Sequence, residues 1–372
     1  MISSSSFLTP PAPTLQAPNP NPTQLHALAI ATFAGELLET FHEFGLGNDG
    51  SDIRGDGLKQ IRDGLVSIVQ RVINPLVLGI KNELLPLTEA LETPNGVKSS
   101  IGGKSNLTLH SSVITLQSIM PLYARALSRY ATSSTSQTIL ASLLISVIWR
   151  AMVALSHRPF TPNTPPSSPG LPAASKKPKG SPSSTPPMTP PASRFTIKLP
   201  SPASRPPSPP NTVTPCSAAV DARALYDLFN QLPRPNVDKV TTKLPCEAVE
   251  EAFHGLDALP ALFDMSASLP AKIVGGNDSN VLIQQLESVT AELPTLIALP
   301  VLLQVNGTST PTVSSYLGLS EEEYRARCLT GFGRADECAA IVGQRVLDQL
   351  KPCNDSDLIV KWLEGEIQAA HN

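Results

Sequence analysis

Nine Ser-Pro and Thr-Pro steps fall in one part of the chain, and each presents a hydroxyl that a proline-directed kinase can phosphorylate. Five of the acceptors also have a proline two residues earlier, a feature that such kinases prefer; these are Thr161, Thr164, Ser168, Thr189 and Ser208. The other four are Ser181, Thr185, Ser201 and Thr214. We therefore predict nine candidate phosphorylation sites.

The charge of the surrounding sequence gives phosphorylation a physical consequence. Residues 158–215 contain 19 of the 38 prolines, seven Lys or Arg residues and no Asp or Glu. Each phosphate adds about −1.5 to −2 charge, so about four phosphates would cancel the positive charge of this segment. The segment lies inside a longer stretch, residues 93–220, that has 12 Lys or Arg residues and no acid.

A short basic motif lies in the same segment. Lys176, Lys177 and Lys179 surround Pro178 and match a minimal nuclear-import pattern. Scattered rather than clustered charges favour a solvated linker over a nucleic-acid site, so we predict no specific nucleic-acid partner. The N-terminus has no charged region followed by an apolar one, so no signal peptide is predicted and the expected location is the cytoplasm or the nucleus.

Motifs for catalysis, cofactors and metals are weak. Gly103, Lys104 and Ser105 end like a phosphate-binding loop, but Lys98 stands where that motif needs its first glycine. The six histidines are scattered, and none of the five cysteines forms a C-x-x-C pair. We therefore predict no catalytic, cofactor-binding or metal-binding residues and expect the protein not to be an enzyme.

Apolar residues recur at helical spacing on both sides of the Pro-rich segment, and no alternating strand pattern is visible, so the predicted fold class is all-α. Residues 1–23 are predicted to be a disordered tail and residues 158–215 a disordered linker or inserted loop. Residues 24–157 are expected to form a helical bundle and residues 216–372 a helical domain. The two could be separate domains or one packed unit.

Residues 139–155 are apolar on almost every side, with Arg150 as the internal charge. Seventeen such residues are short for a bilayer span, which needs about 20. We interpret them as the central helix of the bundle, and a membrane anchor is the alternative.

These observations favour a non-catalytic intracellular scaffold or regulatory adaptor with protein partners, tuned by proline-directed phosphorylation. A membrane-associated trafficking or tethering protein that uses residues 139–155 is the second hypothesis. An enzyme on an all-α fold without a recognisable motif is the third.

Overall fold

A computed structural model describes residues 13–14, 17, 19–46, 55–94, 96–98, 108–159, 217–236, 242–275, 278–306, 311–352 and 357–371. Within these ranges the chain forms α-helices α1 to α12, which confirms the predicted all-α fold class. Their bounds are α1 Pro22–Glu43, α2 Gly55–Glu89, α3 Ser111–Tyr130, α4 Ser134–Ser156, α5 Ser217–Phe229, α6 Lys243–Val274, α7 Ser279–Thr290, α8 Thr295–Leu303, α9 Val313–Leu317, α10 Glu321–Cys328, α11 Phe332–Leu350 and α12 Asp357–His371. Most of the predicted tail, and all of residues 160–216, lie outside the described residues.

One small β-hairpin corrects the expectation that the chain has no strands. Strand β1, Gly96–Lys98, pairs antiparallel with β2, Thr108–His110, in the register Val97 to Leu109. Each strand is three residues long, which is too short for an alternating pattern to stand out in a sequence. The hairpin connects α2 to α3 and brings His110 to the start of α3.

Several helices begin where a side chain can accept a hydrogen bond from a free backbone N–H group of the first turn. Ser320 and Glu323 form a capping box at the start of α10, as their S-x-x-E spacing predicts. A second capping box, formed by Asn21 and Gln24, starts α1. Ser133 caps α4 by accepting a hydrogen bond from the backbone N–H of Ser136.

Helix α4 is the central helix of the fold, as its apolar sequence predicts. It packs against α2, α6 and α8, and 14 of its 23 residues are buried. By length and composition alone, two helical stretches in the described part of the chain are long and apolar enough to cross a membrane, residues 57–92 and α4. In the most apolar window of α4, 67% of the residues are buried inside the protein, against 28% for the other stretch.

Helices from the two sides of residues 160–216 share one core. Helix α3 packs on α5, and α4 packs on α5, α6 and α8. Buried side chains from Leu28 to Leu363 form one continuous apolar cluster. The described residues before and after residues 160–216 accordingly fall in one compact unit. Residues 160–216, which lie between them in the sequence, are here named the inserted segment.

Helix α1 has a buried face and an exposed apolar face. Leu28 and Gly35 face the core, whereas Ile30, Phe33 and Phe44 are 44%, 65% and 75% exposed. Gly35 lies directly against the start of α4: a Cβ on this glycine would come within 2.4 Å of the Ser133 Cβ. The two helices can therefore approach this closely only because residue 35 has no side chain.

Candidate functional site

The predicted site residues all lie in the inserted segment, outside the described residues. These are the nine phosphate acceptors between Thr161 and Thr214, and the basic residues Lys176, Lys177 and Lys179. The structure places the two flanks of the segment, which end at Pro159 and resume at Ser217. Both flanks belong to one polar cluster at the C-terminal end of α4. We name this cluster the base of the inserted segment and treat it as the candidate functional site.

Arg158 and Asp221 join the two flanks. The Arg158 Nη1 donates to the Asp221 Oδ2 at 2.6 Å, and their side chains are only 5% and 2% exposed. Arg158 stands two residues beyond the end of α4, and Asp221 lies in the second turn of α5. Arg158, which the sequence placed at the start of the Pro-rich segment, therefore belongs to the helical unit, and the two ends of the inserted segment are held at one place.

His110 completes the environment of the Asp221 carboxylate. Its backbone N–H donates to Asp221 Oδ1 at 2.9 Å, so both carboxylate oxygens are engaged. The His110 ring is also fixed, because Nδ1 accepts from the Ser112 N–H and Nε2–H donates to the Thr93 carbonyl. Burial, and then the nearby Arg158 charge, lower the pKa of His110, so the ring is held neutral.

A second ionic group lies beside the first. Arg325 makes two parallel hydrogen bonds of 2.8 Å to the carboxylate of Glu92 and a third, from Nε, of 2.9 Å to Glu321 Oε1. The paired Arg–carboxylate geometry is the strong form of this interaction. The contact connects α10 to the short 3₁₀ turn that follows α2.

His157 lies between the two ionic groups. Its Nδ1–H donates to the Val153 carbonyl at 2.9 Å, and its Nε2 is 3.5 Å from Glu321 Oε1. Burial lowers the pKa of His157 despite the nearby carboxylates. The ring is therefore expected to be neutral at pH 7 and to resist protonation while the protein is folded.

Two further hydrogen bonds fix the last turns of α4 to the C-terminal helices. The indole N–H of Trp149 donates to the Leu329 carbonyl at 2.8 Å. The Gln304 side-chain amide donates to the Ser156 carbonyl at 3.3 Å. The end of α4 that precedes the inserted segment is therefore hydrogen-bonded to Gln304 and to Leu329, which lie far along the chain.

The polar contacts of this cluster stabilise the fold. The Asp221 carboxylate accepts from Arg158 and from a backbone N–H, and the His110 Nε2–H points to a carbonyl, so these groups do not form an acid–base dyad. Within the described ranges, no group of three or more His, Cys, Asp or Glu side chains could hold a metal ion. The cysteines that the structure describes, Cys246, Cys328 and Cys338, are free thiols.

The sequence contained a signal for this site that motif searching missed. Glu92 and Asp221 are the two acids that flank the acid-free stretch of residues 93–220. Both form ion pairs with arginines distant in sequence, Glu92 with Arg325 and Asp221 with Arg158. The two acids at the ends of the acid-free stretch therefore both belong to the base of the inserted segment.

Comparison of the chain with protein-family models, with curated proteins and with solved structures finds no match.

Proposed function

We propose that this protein is a non-catalytic adaptor in which a helical unit presents the inserted segment as a phosphorylation-regulated binding loop. The supporting observation is the buried ion pair between Arg158 and Asp221, which holds the two ends of the segment at one place on the helical unit. A segment held in this way can change its charge and its contacts while the helical unit keeps its fold.

The charge of the segment supports a switch. Residues 160–216 contain six Lys or Arg residues and no acid, since Arg158 is paired with Asp221 inside the helical unit. With about −1.5 to −2 charge for each phosphate, three or four phosphates cancel that charge and further ones reverse it. A partner with an acidic surface would then be released, and a partner that reads phosphate through arginines would be bound.

Phosphate mapping tests the first part of the proposal. Protein isolated from cells and analysed by mass spectrometry should carry phosphate on the nine acceptors, with Thr161, Thr164, Ser168, Thr189 and Ser208 as the most occupied sites. Absence of phosphate from all nine under growth and stress conditions would contradict it.

Partner binding tests the second part. Affinity purification of the full chain, with and without phosphatase treatment, should recover different sets of proteins. A variant with alanine at Thr161, Thr164, Ser168, Thr189 and Ser208 should behave like the phosphatase-treated protein. The matched control carries alanine at Ser181, Thr185, Ser201 and Thr214, and it should show the smaller change. Equal partner sets in all four samples would contradict the switch.

The membrane-associated alternative has a separate test. The burial of α4 among α2, α6 and α8 supports its role as a core helix, since a membrane-embedded α4 would have to leave those contacts. We expect the protein to be released by alkaline carbonate extraction. Its retention with the membrane pellet would favour the tethering hypothesis.

A further inference from the structure

A cavity lies on the side of the protein formed by α1, α2 and α3. Its volume is about 330 Å³, near the lower end of the range of about 300–1,000 Å³ that is typical of small-molecule sites. Leu76, Leu122, Ala126 and Tyr130 supply apolar and aromatic walls. Described residues before α1 line another side; these are Pro13, Thr14, Ala17, Asn19, Pro20 and Asn21.

Two arginines, Arg125 and Arg129, also line the cavity. They are four residues apart on α3, so both guanidinium groups lie on the same face of that helix. No Asp or Glu is among the residues that line the cavity. Within the described ranges neither arginine takes part in an ion pair, although the Arg129 guanidinium lies 5.4 Å from the centre of the Tyr130 ring.

The acid-free composition of residues 93–220 explains this excess of positive charge. Helix α3 lies wholly inside that stretch, so Arg125 and Arg129 have no carboxylate on their own helix to pair with. Arginine stays charged at every physiological pH, and its planar group binds oxyanions with two parallel hydrogen bonds. An apolar cavity with two such groups matches a ligand that has an apolar body and one anionic head.

We propose that this cavity binds a small amphipathic acid, with the apolar body against Leu76, Leu122 and Ala126 and the oxyanion on Arg125 and Arg129. Carboxylates and phosphate monoesters share this chemistry. The site is separate from the base of the inserted segment, and the proposal does not depend on the function of that segment.

Isothermal titration calorimetry of the full chain with four probes tests the proposal. Decanoate and decyl phosphate carry the apolar body and an anionic head, decan-1-ol has the body alone, and inorganic phosphate has the anion alone. We expect saturable binding of one decanoate or one decyl phosphate per chain, and the tighter of the two identifies the head group. Decan-1-ol and inorganic phosphate should bind at least about tenfold more weakly, since each lacks half of the recognised structure.

Substitutions in α3 locate the binding. Arg125→Gln combined with Arg129→Gln should raise the Kd for the anionic probe at least about tenfold and leave that for decan-1-ol unchanged. Both side chains are exposed, so this variant should fold normally. Arg71→Gln, which removes an exposed arginine of α2 outside the cavity, is the matched control and should keep the wild-type Kd. Ala126→Trp fills the cavity and should abolish binding by an independent route.

Three results would overturn the proposal. The first is no saturable binding of either anionic probe to the wild-type protein. The second is an unchanged Kd in the double arginine variant or in Ala126→Trp. The third is an equal loss of binding in Arg71→Gln, which would show that the probe responds to net charge rather than to the cavity.

Discussion

Arg158 and Asp221 are in contact at 2.6 Å although they are 63 positions apart and residues 159–220 lie between them in the sequence. Almost all of those residues belong to the inserted segment, so one buried ion pair closes the whole loop. Burial of both charges is costly unless they pair, which makes this contact sensitive to the loss of either partner.

The first prediction concerns Asp221→Asn. The substitution leaves the Arg158 charge buried without a counter-charge, so the free energy of unfolding should fall by about 3–5 kcal/mol. Urea denaturation followed by circular dichroism measures the change. Combining Arg158→Met with Asp221→Leu should restore part of the loss, because no charge then remains buried, although the His110 N–H loses its acceptor.

A matched control distinguishes this buried pair from ordinary surface charge. Arg223 and Asp264 also form an ion pair, but their side chains are 50% and 37% exposed. Asp264→Asn should therefore change the free energy of unfolding by less than about 1 kcal/mol. Similar losses in Asp221→Asn and Asp264→Asn would contradict the special role of the buried pair.

The sequence predicted the helices well because helix formation leaves local signals. The three- and four-residue spacing of apolar side chains located α1 to α4, and the S-x-x-E pattern at Ser320 located the start of α10. Proline was a less reliable guide. Proline removes a backbone donor and tends to break a helix, yet α2 runs without interruption through Pro75, from Gly55 to Glu89. Buried residues on both sides of it, among them Ile73 and Leu76, hold the helix together by tertiary packing.

The base of the inserted segment could not be predicted in the same way, because its contacts are not local. Glu92 and Arg325 are 233 residues apart, and nothing in the sequence near either residue identifies its partner. The unusual composition between Glu92 and Asp221 marked both acids without showing where they would lie. Pairing between distant residues depends on how α4, α5 and α10 pack, and this packing cannot be read from a single sequence.

The second prediction concerns pH. Burial lowers the pKa of His110 and of His157 in the folded protein, while in the unfolded chain both histidines should titrate near the ordinary value of about 6.5. Below that value the unfolded state binds more protons, so stability is full above about pH 7 and falls as the pH is lowered. The slope of this loss has an upper limit of about 1.4 kcal/mol per pH unit for each histidine.

Urea denaturation at several pH values between 5 and 8 measures this slope. His110→Asn keeps a side-chain acceptor for the Ser112 N–H and should make the pH dependence smaller. An unchanged slope in this variant would show that His110 does not contribute.

The third prediction compares two glycines in helices. Gly35→Ala places a Cβ within 2.4 Å of the Ser133 Cβ, which forces α1 away from α4 and should cost about 1–3 kcal/mol. At Gly64, in α2, an added Cβ meets nothing within 4 Å. Gly64→Ala should therefore raise the free energy of unfolding by about 0.5–1 kcal/mol, because alanine favours a helix more than glycine does. Thermal unfolding of both variants should show shifts of opposite sign, and a shared sign would contradict the close approach of α1 and α4.

The fourth prediction concerns the inserted segment itself. Replacing residues 162–214 with about ten Gly and Ser residues shortens a loop whose flanking residues are already close. Each halving of the length of a flexible loop lowers the entropic cost of closing it by about 0.6 kcal/mol. The helical unit should keep its helical content by circular dichroism and become about 1–1.5 kcal/mol more stable. Adding Asp221→Asn to the shortened protein should cost as much as it does in the full chain, because the ion pair lies in the helical unit. Two results would contradict this prediction: loss of folding on shortening, or a much smaller cost of Asp221→Asn in the shortened protein. Either result would mean that the inserted segment contributes to the core of the helical unit.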